Sequence, residues 1–171
     1  MPRHRHDPSK DLVGFLLGEV MYAVRIEVVR EIVNPLEVVD LPRAPPTVKG
    51  VADYRGEVVP VIDLRERFGL AAVAPSRRTK WIVLDVAARR GRDDKLVGRH
   101  AALVVDSVTD VFGLAGGELR PAPPLGAGDA ERGIEGVTTL GTRLVFVLDA
   151  RTFGPVAQAA LASGAAAEPR G

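Results

Sequence analysis

Two stretches of this chain repeat one another without a gap. Gly50 to Leu64 reads GVADYRGEVVPVIDL, and Gly136 to Ala150 reads GVTTLGTRLVFVLDA. Gly50 aligns with Gly136, Val51 with Val137, Val59 with Val145, Val61 with Val147 and Asp63 with Asp149. Two further echoes precede them in the same order. Leu41-Pro-Arg-Ala-Pro-Pro46 matches Leu119-Arg-Pro-Ala-Pro-Pro124, and Val29-Arg-Glu-Ile32 matches Val108-Thr-Asp-Val111. Chance likeness between short valine-rich hairpins accounts for one such echo but not for three collinear ones. Self-similarity on this scale signals repeated architecture, so the chain reads as two related halves, roughly 12–75 and 76–153. A unit of that size buries little core alone. The halves are therefore expected to pack together as twin small barrels, with an apolar interface and a groove between them.

The local signals are those of strands. Leu12 to Leu17 and Val20 to Val24 flank Gly18-Glu19 and read as a hairpin. Val58 to Leu64, Lys80 to Val86, His100 to Val105 and Arg143 to Leu148 are further apolar or β-branched runs bounded by Gly, Pro, Asp or charged residues. A strand needs only about 5–6 residues, so about ten fit before Phe153. With 18 Gly and 13 Pro, the fold class is mainly β, a barrel or sandwich with a few short helices. Ile26 to Val33 is expected to make about two helical turns, stopped by Asn34-Pro35. A second turn starts at Asp63, which caps it, with Glu66 at capping-box spacing and Gly69 ending it. Residues 1–10 read as a flexible N-terminus, Ala88 to Lys95 as a solvated loop, and 154–171 as an Ala-rich frayed helix or disordered tail.

Composition excludes several functions. Basic and acidic residues number 23 and 22, a net charge of +1, which argues against a polyanionic partner. No apolar run approaches the ~18–20 residues that span a bilayer, and the basic N-terminus lacks a signal peptide's apolar stretch; a cytoplasmic location is expected. There are 0 cysteines and 3 histidines. His4 and His6 lie in the loose N-terminus, and His100 opens a strand as a strand-edge residue. No metal or cofactor site is expected. Gly113 to Gly117 lacks the lysine and hydroxyl of a phosphate loop and reads as a turn. Asp63 and Asp149 could be paired carboxylates, but their equivalent places at strand ends favour capping. No convergent set of titratable groups points to an enzyme. A small β-barrel binding nucleic acid or a small ligand in the groove is the alternative, and aromatics at 5% leave little for base stacking.

Interaction remains. Asp53, Tyr54 and Arg55 sit on a turn between apolar strands, and Tyr and Arg are favoured in protein interfaces. Here the sequence resembles a known family. Lys49-Gly-Val-Ala-Asp-Tyr-Arg-Gly-Glu-Val-Val-Pro-Val-Ile-Asp-Leu64 is similar to the CheW-family signature K-G-V-x-N-L-R-G-x-I-V-P-V-I-D-L. Phe68-Gly-Leu70 continues it. Leu17-Gly18 with Tyr22, Val29-Arg-Glu-Ile32, Val104-Val-Asp-Ser-Val108 and Leu119-Arg-Pro-Ala-Pro123 match its other blocks, so the resemblance covers about 11–153.

The resemblance implies two five-stranded, SH3-like barrels around a shared core. It also implies a non-enzymatic adaptor that couples chemoreceptor cytoplasmic tips to the regulatory domain of a CheA-type histidine kinase. Such an adaptor inserts into no membrane and binds no nucleic acid. In the family the arginine of N-L-R-G and the glutamate of V-x-E-I matter for coupling. By motif they are Arg55 and Glu31, with Val29, Gly50, Asp53 and Tyr54 in the same blocks, and an Arg55–Glu31 ion pair would order the groove rim. Asp53-Tyr54 replaces the family's Asn-Leu. At this length a fused receiver domain is not expected.

Overall fold

The computed structural model describes residues 8–86, 99–114, 119–124 and 133–167. The expected loop at Ala88 to Lys95, most of the N-terminus and most of the Gly113 to Gly117 turn lie outside them. Among the described residues ten strands run in chain order: β1 (Leu12–Leu17), β2 (Val20–Arg25), β3 (Val29–Val33), β4 (Val48–Tyr54), β5 (Glu57–Asp63), β6 (Lys80–Asp85), β7 (His100–Val105), β8 (Ser107–Phe112), β9 (Ile134–Leu140) and β10 (Arg143–Leu148). They form two sheets of five, ordered β8-β1-β2-β10-β9 and β3-β6-β7-β5-β4. These orders coincide when β1 to β5 are matched with β6 to β10, the duplication seen in the sequence.

The sheets, however, are not the halves. Each combines one half's first hairpin (β1-β2 or β6-β7) with the other half's last three strands. The joins are parallel, Val145 to Val147 beside Met21 to Ala23 and Val61 to Asp63 beside Ala102 to Val104. The expectation of one barrel per half is corrected accordingly. The echoes that revealed the repeat all lie in β3 to β5 and β8 to β10, the triplets that stay together, and they carry no information about which hairpin completes each sheet.

The apolar residues sort into three clusters. The largest lies between the sheets and draws on both: Phe15, Leu17 and Val24 from one, Ile62, Ile82, Leu84 and Leu103 from the other. Each sheet also curls around a smaller interior of its own. One holds Tyr54, Val59, Val61, Trp81 and Val83; the other holds Leu12, Met21, Ala23, Val145 and Val147. Neither sheet closes into a continuous hydrogen-bonded barrel.

Local chemistry explains most elements. In β1-β2, Leu17 pairs with Val20, and Gly18 at φ 61 supplies the left-handed first position of a two-residue turn. Asp63 caps α1 (Leu64–Arg67), accepting from the backbone N–H of Arg65 and Glu66. Its repeat partner Asp149 accepts from Arg151 N–H at the 3-10 turn Ala150–Phe153. Capping, not paired-carboxylate chemistry, is what these residues do. Ile26 to Val33 is not the expected helix: only Ile26–Val28 makes a 3-10 turn, and Val29–Val33 is strand. Val28, Val29, Ile32 and Val33 are β-branched, and a pleated surface with a β6 partner suits them better than a helix.

The Ala-rich end, expected as a frayed helix or a disordered tail, is helical over Gly154–Ala167 (α2). Phe153, Ala157 and Ala160 are fully buried. Their helical spacing lays a narrow stripe on β4, β5 and β7. The stripe is invisible in sequence because alanine stands on the exposed face as well.

A polar contact at Asp106 helps tie the two sheets. Asp106, at the crossover from β7 to β8, accepts from Arg65 Nε at 2.9 Å and Nη2 at 2.5 Å, and from the Gly18 backbone at 2.6 Å. Arg65 holds the Asp106 carboxyl below the ordinary carboxylate range. Asp106→Ala should lower stability by about 1–3 kcal/mol in urea unfolding at neutral pH. A depressed carboxylate stabilises above its unfolded pKa and stops doing so as the pH falls through its folded one. The variant's deficit should therefore shrink on acidification, and a deficit independent of pH would show that the charge plays no part.

Candidate docking site

The site is built at the open edge of one sheet, where a defect aims a carboxylate. In β3, Val29 pairs with Leu84 but Glu31 pairs with Val83, with a bulge between them. Without it, Val29 and Glu31 would face the same side. The bulge sends Val29 to the core between the sheets and Glu31 to the barrel side, since Leu84 belongs to the first cluster and Val83 to the second.

The partner comes from the β4-β5 hairpin. Tyr54 pairs with Glu57, which leaves Arg55-Gly56 as a two-residue loop with φ of 51 and 82. Two left-handed residues make a type I′ turn, whose first position favours Asn, Asp or Gly. An arginine there is a strained choice. Asp53 braces it, its Oδ1 accepting from the Gly56 backbone at 2.8 Å.

From this turn Arg55 grips Glu31 with two parallel bonds, Nε to Oε2 at 2.9 Å and Nη2 to Oε1 at 2.8 Å. The Tyr54 hydroxyl donates to Glu31 Oε2 as well, and the Arg55 guanidinium lies 5.8 Å from the Tyr54 ring. Edge strands β3 and β4, at opposite ends of the sheet order, are thus clasped by side chains in place of a ladder. Arg55 and, to a lesser degree, Tyr54 lower the Glu31 pKa to about 2. Glu31 in turn raises that of Arg55. Burial, and then donation to Glu31, push the Tyr54 phenol up. Glu31 starts from an ordinary value of 4.5, so the clasp should stay charged through pH 4 and open only as the pH falls through about 2. Carboxyl-carbon NMR of Glu31 would check this; a midpoint above 4 would contradict it.

Of the six residues singled out by sequence, Glu31, Asp53, Tyr54 and Arg55 come together. Gly50 and Val29 do not join them at the surface. Gly50 is buried, and Val29 packs on the core. Nothing in the sequence marks the clasp's neighbours at the same barrel end. His100 opens β7, an interior strand and not an edge, and its Nδ1 lies 2.9 and 3.0 Å from the Glu57 oxygens. Arg99 Nε donates to Asp85 at 2.9 Å. Only the pairing of strands brings these residues together.

No group of three or more His, Asp or Glu side chains among the described residues is arranged to hold a metal. A small cleft of about 70 Å³ lies beside Lys49, Asp63, Arg65 and Asp106. It is far below the roughly 300–1,000 Å³ of small-molecule sites, and its Asp63, Arg65 and Asp106 are already engaged in the cap and the inter-sheet contact. No described helix is long and apolar enough to cross a membrane.

Two small curled sheets about a common core, with a clasped, charged rim and no metal-holding group among the described residues, have the layout of a scaffold. Comparison with known proteins says which one. Residues 11–153 match the model of the CheW-like domain. The chain is 33% identical over 141 residues to chemotaxis protein CheW of Klebsiella aerogenes, covering 82% of this chain and 79% of that one. It is 31% identical over 148 residues to chemotaxis protein CheW of Rhizobium meliloti, covering 86% and 88%. The crystal structure of the scaffolding protein TtCheW from Thermoanaerobacter tengcongensis superposes with a TM-score of 0.70 at 26% identity, covering 82% of this chain and 89% of that one. The chain belongs to the CheW family, a family of chemotaxis scaffold proteins and not of enzymes.

Proposed function

We propose that this chain couples the cytoplasmic tips of chemoreceptors to the regulatory domain of a CheA-type histidine kinase, in the cytoplasm at membrane-associated receptor arrays. The observation that carries this reading is the rim: an exposed arginine held on a strained turn and clasped to a glutamate of the opposite edge. Strain of this kind persists where the surroundings over-determine it, and such places cluster at functional sites. Arg55 presents a planar donor fork, and Asp53 and the exposed Val58 lie beside it. The coupling is mechanical. A scaffold that holds receptor and kinase in one geometry passes a receptor's conformational bias to the kinase as a population shift.

Pull-down and titration with a cognate receptor tip and kinase regulatory domain test this. Wild type should bind both. Arg55→Glu places a second carboxylate against Glu31 and should weaken binding to at least one partner by more than about tenfold, a loss typical of a charged contact turned repulsive. Circular dichroism should show the fold retained. The reading fails if wild type binds neither partner, or if Arg55→Glu binds both as wild type does.

A further inference from the structure

Glu31 has two donors, and they arrive from different places. Arg55 reaches it from the surface, with its side chain 68% exposed. Tyr54 reaches it from inside the barrel. The tyrosine ring is buried with Ala52, Val59, Val61, Trp81 and Val83, and its hydroxyl meets Glu31 Oε2. A leucine, which the family signature carries at this position, would fill the same interior and bring no donor. Tyr54 therefore adds a hydrogen bond from the core to a half-buried carboxylate.

The geometry points to a division of labour: Tyr54 is a positioning residue that holds Glu31 at the barrel edge by itself, and Arg55 is the exchangeable member, able to leave Glu31 for a carboxylate on a partner. The reason is desolvation. An arginine that leaves a half-buried carboxylate strands it, and an unpaired, partly buried charge is costly. With the tyrosine hydroxyl still donating, Glu31 keeps a charge-assisted bond while Arg55 is elsewhere. The Tyr54 ring also lies against the guanidinium, a contact that does not depend on Glu31 and suits an arginine pivoting between two acceptors. The partner surface at Arg55 is then acidic. This inference rests on the proposed coupling role for the partner alone; the clasp stands on the geometry.

The clasp can be tested on the full chain without a partner, by following the Glu31 carboxyl carbon through a pH titration. Arg55→Ala should leave Glu31 titrating below the ordinary carboxylate value, and only Arg55→Ala combined with Tyr54→Phe should bring it to that value. If Arg55→Ala alone brings it there, Tyr54 holds nothing and the inference is overturned. A second arm measures binding to the receptor tip and the kinase regulatory domain. Tyr54→Phe keeps the ring. It should weaken the complex that uses Arg55 about ten- to a hundredfold, the loss of one hydrogen bond to a charged group, and do nothing further in the Arg55→Ala background. Equal losses in both backgrounds would overturn the exchange. Wild-type protein that binds neither partner, beside a titration behaving as described, would sink the coupling role and the exchange but not the clasp.

Discussion

Phe153→Ala should destabilise the protein by about 3–5 kcal/mol, the range for truncating a buried aromatic, and in a domain of ordinary marginal stability that threatens folding altogether. Phe153 ends the 3-10 turn that follows β10, yet it belongs to the core shared by the two sheets and is fully buried. Its ring also carries the Arg67 guanidinium of α1 at 4.9 Å from the centroid. Alanine would leave a cavity where strands of one sheet, the turn after the other and α2 converge, and rigid sheets cannot collapse into it. Urea unfolding would measure the loss. Phe153→Leu should cost clearly less, because it keeps most of the volume. A Phe153→Ala cost below 1 kcal/mol would mean that the cluster does not join the sheets.

Gly50→Ala should cost about 2–3 kcal/mol, the scale of a strained backbone position. Gly50 has φ 150, and a Cβ there would stand 2.2 Å from the Val39 carbonyl oxygen and 2.8 Å from Val38 Cγ1. The carbonyl cannot retreat cheaply. Val39 and Val51 exchange both backbone bonds, at 2.8 and 2.9 Å, and this bridge covers the outer edge of β4. The repeat provides a control. Gly136 faces the bridge between Arg120 and Val137, where a Cβ would stand 2.9 Å from Arg120 O, and its φ is not positive. Gly136→Ala should therefore be milder. Comparable losses in unfolding experiments would refute the ranking. At a family-signature position, Gly50 acts through its backbone, whatever the rim above it binds.

The two rims show how far repetition extends. Asp110 occupies in β8 the place of Glu31 in β3, after an equivalent bulge. Opposite it, however, the β9-β10 turn is Gly141-Thr142, with Leu140 where Tyr54 stands. The second edge has neither the arginine nor the tyrosine of the first. Leu140 packs instead on the apolar interior. One edge carries a charged clasp and the other an apolar side chain, so the two rims present different surfaces.

Much was legible along the chain: strands whose apolar alternation and turn glycines are local, the two aspartate caps, the duplication, and the motif block that holds Asp53, Tyr54 and Arg55. Those signals depend on neighbours a few residues apart, and short-range geometry expresses them directly. Tertiary structure decided the rest. It decided which hairpin completes which sheet, because strand pairing is non-local and nothing within either hairpin names its partner strands. It ordered α2, because an alanine stripe shows only against the surface it packs on. It turned Glu31 toward Arg55, because a bulge is a mismatch between two strands and belongs to neither alone.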